Sequence, residues 1–167
     1  TSNNPPPAAG VILVAPAVWG RETQPFYQRW TLALAARLMP GMTLSGQGLN
    51  IKPSDNIPML RALSQDPLVI KKTRVDTLWG LVNLMDAALA ASKTFTSKTL
   101  ILYGDKDEII GQEATGLMLS QLPKEADQRR MIKRYPNGYH MLLRGINAGP
   151  IWQDILSWMV PAPAKTN

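Results

Sequence analysis

Leu100-Ile-Leu-Tyr-Gly-Asp-Lys-Asp107 decides the reading of this chain. Four apolar or aromatic residues in succession have the look of a strand buried on both faces, and Gly104 then lets the backbone turn sharply into an acidic loop. A second segment repeats the plan: Arg134-Tyr-Pro-Asn-Gly-Tyr-His140 runs from a strand through an Asn-Gly turn to the single histidine of the chain. In a parallel sheet joined by right-handed crossovers all strands point the same way, so the loops after them gather at one edge. The interval from Asp107 to His140 is long enough for one crossover helix and one strand. The two side chains are therefore expected to meet. A carboxylate that accepts the imidazole Nδ1 proton, and an imidazole whose Nε2 takes a hydroxyl proton, are two members of a Ser-His-Asp triad.

Upstream, Val11-Ile-Leu-Val-Ala15 is another uninterrupted, β-branched run ended by Pro16, and reads as a buried strand. Ahead of it, Thr1 to Ala9 is a polar lead in which Pro5-Pro-Pro7 favours extended geometry and serves as a connector. Phe26, Trp30, Leu34 and Leu38 recur every four positions, predicting an amphipathic helix that Pro40-Gly41 stops. Residues 41 to 53 read as loop, and Ser54 can cap a helix through Leu63 before Asp66-Pro67 breaks it. Val75, Leu78, Val82, Met85 and Leu89 form the longest apolar stripe and predict a long helix. After the strand at Thr99 to Tyr103 come a helix from Gln112 to Leu122, a more polar edge-type strand from Arg130 to Tyr135, and a helix from Pro150 to Val160. The order predicts an α/β fold: three parallel strands with crossover helices, and a helical insertion after the first strand. The boundaries follow: connector and first core strand at 1–20, helical insertion at 21–93, and a core with the acid and base loops at 94–167.

With 167 residues and 45% apolar content the chain can bury a core of ordinary size as a single domain. Its net charge of +6 and pI near 9.8 come from scattered or paired cations such as Lys71-Lys72 and Arg129-Arg130, without a nucleic-acid motif or stacking aromatics, so no nucleic-acid partner is expected. The same charge leaves room for peripheral contact with an anionic membrane surface. One histidine and no cysteine exclude disulfides and thiolate metal sites, and neither a metal nor a cofactor is expected. No apolar run approaches the ~18 residues a transmembrane helix needs. No leader pattern opens the sequence, and any leader is expected upstream of Thr1. The sequence assigns no compartment.

The nucleophile has no counterpart. No serine stands in a Gly-x-Ser-x-Gly frame, and the nearest approach, Thr43-Leu-Ser-Gly-Gln-Gly48, lacks the first glycine and the preceding buried strand. Gly10 to Gly20, Ser64-Gln-Asp-Pro-Leu68, the Gly-Asp-Lys-Asp loop and the Tyr-Pro-Asn-Gly-Tyr-His loop, in that order, resemble the monoacylglycerol lipase and lysophospholipase group of α/β-hydrolases, of serine aminopeptidase S33 type. The resemblance covers nearly the whole chain. It implies the C-terminal part of an α/β-hydrolase fold, with residues 21–93 as a helical cap whose Met39, Met42, Met59 and Met85 adapt to lipid chains. It implies Asp107 as catalytic acid and His140 as base, with Asp105 the weaker candidate because the family's acid stands three positions after the glycine. It further implies a serine in a missing N-terminal portion, partnered as a separate chain or a missing segment, and a small lipid or ester substrate. Two alternatives remain: a non-catalytic hydrolase-fold module binding a ligand under its cap, and a hydrolase with an aspartate nucleophile, as in dehalogenase-like and epoxide-hydrolase-like relatives.

Overall fold

A computed structural model of the chain describes residues 8–46 and 48–160; the Pro5–Pro7 lead lies outside them. Its centre is strand β4 (Thr99–Gly104), buried at every position. Strand β1 (Val11–Val14) pairs with one edge of β4 and strand β5 (Arg130–Tyr135) with the other, both parallel, in the order β1-β4-β5. A strand between two parallel neighbours has both faces covered by helices, which is why its side chains read as a continuous apolar run. Side-chain alternation along β4 divides the core. Ile101 packs with Val18, Leu89, Ile110, Met118 and Leu122 on one face, whereas Leu100 and Leu102 pack with Leu142, Ile151 and Ile155 on the other.

The two flanking strands differ from β4 in instructive ways. β5 is an edge strand, as its polar sequence predicts, with Met131 and Ile132 each 45% exposed. β1 is less buried than its sequence reads, with all four residues half-buried, and β4 is its one strand partner among the described residues. Its outer edge is therefore bare, and an apolar hollow of about 270 Å³ lined by Val11, Leu13, Val18, Ala88, Phe95 and Met118 lies beside it. The chain leaves the sheet at Ala15, which adopts the left-handed region with φ 44° while its N–H still donates to Leu102 O at 2.9 Å.

Between β1 and β4 run helix α1 (Phe26–Leu38), strand β2 (Thr43–Ser45), helix α2 (Ile57–Gln65), strand β3 (Lys72–Arg74) and helix α3 (Val75–Ser92). α3 buries Val75, Val82, Met85 and Leu89, so its apolar stripe is the face turned inward. α1 forms over nearly its expected span, but its stripe does not become a packed face: Phe26, Trp30, Leu34 and Leu38 are all more than 60% exposed. The helix lies along α3 and half-buries Leu32, Ala33, Ala35 and Ala36 instead.

Two further expectations are corrected here. Residues 41–53 are not all loop, since Thr43–Ser45 pairs antiparallel with Lys72–Arg74 in a separate ribbon. The N-cap of α2 is Asn56, whose side chain accepts from Met59 N–H at 3.2 Å, while Ser54 is fully buried and its Oγ accepts from Asn56 N–H. Helix α4 (Gln112–Gln121) crosses from β4 to β5, and helix α5 (Gly149–Met159), with a proline in its first turn, closes the other face.

Candidate active site

The ends of β4 and β5 carry loops that touch through their main chains. Asp105 N–H donates to Tyr135 O at 3.0 Å and Lys106 N–H to Gly138 O at 2.9 Å. The contact is close enough that a Cβ on Gly104 would lie 2.4 Å from Gly138 O, a distance no side chain tolerates. Gly104 is thus required by proximity to a neighbouring backbone. Gly104→Ala is expected to force the loops apart, destabilising the protein by ~1–3 kcal/mol, as overpacking against an unyielding neighbour does. A thermal melt checks this.

Asp107 follows in this loop with its side chain entirely buried. Its Oδ1 accepts from Ile109 N–H and Ile110 N–H, both at 2.9 Å, and its Oδ2 lies 2.9 Å from His140 Nδ1. Tyr103 Oη closes the loop by donating to Ile110 O at 3.0 Å. Both carboxylate oxygens are committed, so the group holds one orientation. A carboxylate facing Nδ1 makes that nitrogen the donor and leaves Nε2 as acceptor, the tautomer needed to take a proton from a hydroxyl. The imidazole is 27% exposed, reachable from outside the chain. Asp105, the other acid in the loop, turns away and pairs with Arg134 of β5 at 2.8 Å. The carboxylate that reaches His140 is Asp107.

The base loop is braced from both ends. At its start Tyr135 Oη donates to Asp154 of α5 at 2.7 Å, and Lys133 pairs with the same carboxylate. Burial first, and then this hydrogen bond, hold the Tyr135 phenol above its ordinary range, while Lys133 and then Tyr135 hold Asp154 below the usual carboxylate range. At its end Leu142 is buried in the core beside Ile151 and Ile155, pinning the residues just after His140.

A third support escapes sequence reasoning. Residues 52–56, before α2, run across both loops: Lys52 N–H donates to Glu108 Oε2 at 2.7 Å, and Pro53 O accepts from Met141 N–H at 2.9 Å. Asn56 Nδ2 donates to Arg144 O at 3.1 Å, and Asp55 Oδ1 accepts from Ile146 N–H at 2.9 Å. Each of these bonds has a main-chain atom on at least one side, which leaves no residue-type signature; the side chains of Asp55, Asn56 and Glu108 are the visible traces.

Ser45 ends β2 in the exposed two-stranded ribbon, not at a turn after a parallel strand. Among the described residues no cluster of three His, Cys, Asp or Glu side chains could hold a metal ion. No helix among them is long and apolar enough to cross a membrane.

The protein-family model described as serine aminopeptidase, S33, matches residues 1–146. The chain belongs to this S33 family. Among solved structures, this S33 chain is similar to the monoacylglycerol lipase of Paleococcus ferrophilus, with 20% identity and a TM-score of 0.73 over 90% of this chain and 58% of the lipase. It is also similar to a soluble variant of the monoglyceride lipase of Saccharomyces cerevisiae, solved with a substrate analogue, with 19% identity and a TM-score of 0.65 over 89% of this chain and 54% of that one. A comparison with curated proteins found no match. The fold is that of an α/β-hydrolase of the monoacylglycerol lipase type, and the chain spans little more than half the length of the two lipases.

Proposed function

We propose that this chain supplies the acid and base of a Ser-His-Asp triad in a serine hydrolase of carboxylic esters, monoacylglycerols or lysophospholipids among them. The serine and the oxyanion-binding amides come from an N-terminal portion that pairs with β1. The observation that carries the reading is the Asp107–His140 contact, with the other carboxylate oxygen saturated by two backbone N–H groups. His140 Nε2 takes the serine proton as the oxygen attacks the ester carbonyl, and then delivers it to the departing alcohol, leaving an acyl-enzyme. Water enters by the reverse proton route, releases the fatty acid and regenerates the serine. Asp107 stabilises the imidazolium throughout.

In this reading residues 21–93 form the cap above the site. The exposed stripe of α1, with Arg29 and Arg37 alongside, supports peripheral contact with an anionic lipid surface. A serine-reactive fluorophosphonate applied to the complete protein tests the reading. Labelling is expected in the unmutated protein and is expected to disappear in His140→Ala. An intact, folded protein that takes up no label would remove the serine-hydrolase reading and leave the binding module and the aspartate-nucleophile hydrolase.

A further inference from the structure

We propose that Asp55 is a positioning residue for His140, the central tie of a strap, residues 52–56, that sets the acid and base loops relative to each other. The kinetic part of the proposal rests on the hydrolase reading above; the structural part does not.

The strap begins at the residue after the acid and ends beyond the base. Lys52 N–H holds Glu108, the neighbour of Asp107, and Pro53 O holds the N–H of Met141, the neighbour of His140. Ser54 is fully buried between them, so the strap is seated in the structure. Asp55 then takes Ile146 N–H at 2.9 Å, and Asn56 takes Arg144 O at 3.1 Å. The short turn Leu142–Arg144 therefore has its flanks fixed from outside, at Met141 and at Ile146. Asp55 contributes the charged acceptor, and hydrogen bonds to a carboxylate are about twice as strong as neutral ones. The approach is tight: a Cβ on Gly145 would stand 3.2 Å from Asp55 Oδ1.

Removing the carboxylate frees Ile146 N–H and lets the segment that follows His140 drift, which lengthens the Asp107–His140 contact without touching either residue. Asp55 touches neither substrate nor reacting atoms, so its loss should appear in turnover and not in substrate affinity.

The test uses the complete protein, with Asp55→Ala and Asp55→Asn compared by ester hydrolysis and by the low-field proton NMR signal of His140 Nδ1–H. Asp55→Ala is expected to lower kcat about tenfold with KM within about twofold, the size of effect a sub-ångström misplacement produces, and to weaken or broaden the low-field signal. Asp55→Asn, which keeps an acceptor oxygen, is expected to restore most of both. An unchanged Nδ1–H signal in folded Asp55→Ala overturns the proposal, as does a loss of kcat no larger than the loss of folded protein. Should Asp55→Ala fail to fold, Glu108→Ala removes the strap's tie to the acid loop, and an unchanged Nδ1–H signal in that folded variant overturns the strap's role in positioning His140. If the unmutated protein hydrolyses no ester, the hydrolase reading fails, and the NMR comparison still decides the positioning role.

Discussion

Asp107→Asn is expected to lower kcat/KM for ester hydrolysis by about 10⁴-fold while leaving thermal stability nearly unchanged. The reason lies in how the carboxylate is held. Ile109 and Ile110 both donate N–H groups to Oδ1, so in the amide variant the carbonyl oxygen must occupy that position and the NH₂ must face His140. Nδ1 then has to accept, which places the ring proton on Nε2, the nitrogen that should receive the serine proton. The variant keeps shape and volume but imposes the wrong tautomer. Asp105→Asn, which loses only a surface ion pair with Arg134, is expected to change kcat/KM by less than about twofold, since exposed pairs contribute little. Steady-state kinetics of both variants on one ester, with a melt for each, separate the two acids. Comparable losses in both would overturn the assignment.

Residues 1–167 produced alone are expected not to give a cooperatively folding monomer. β1 has an apolar sequence but only one strand neighbour among the described residues, and the edge they leave free exposes main-chain N–H and C=O groups beside an apolar hollow. Covering such groups without a partner costs of order 1–3 kcal/mol each, a sum comparable with the 5–15 kcal/mol by which a whole domain is stable. Left open, the edge is a template for another strand. The chain should therefore self-associate, or become monomeric and stable only when an N-terminal portion is supplied. Sedimentation velocity with a thermal melt measures this, and a monomer with a single sharp transition would defeat it.

Much of the core and of the site was legible in the sequence because both depend on strongly patterned segments. β4 announces itself through an unbroken apolar run, and the glycine and acids that follow can only be a loop at a strand end. The parallel arrangement then brings Asp107 and His140 to one edge without any knowledge of side-chain positions. α3 was legible for the same reason, since its stripe is matched to a buried face. α1 shows where periodicity stops informing: Phe26, Trp30, Leu34 and Leu38 specify a helix, yet the partner that would cover them cannot be read from the helix itself. β2 and β3 carry three residues each, too few to establish alternation against the surrounding polar sequence. The strap was invisible because its bonds join residues far apart in the chain, and each has on at least one side a main-chain atom that every residue possesses. Between Ser54 and Asn56 as cap, residue preference alone could not choose, because both favour that role.

The glycine-to-glycine contact beneath the acid and base has a practical corollary for how such an enzyme can be taken apart. Main-chain bonds between neighbouring loops hold Asp107 against His140, so that contact is written within one stretch of chain, like half of a lock cut in advance. Dividing the polypeptide ahead of β1 would keep both loops on one piece, which makes the junction a natural point for split-protein complementation, with a stable fold returning when two unstable pieces dock.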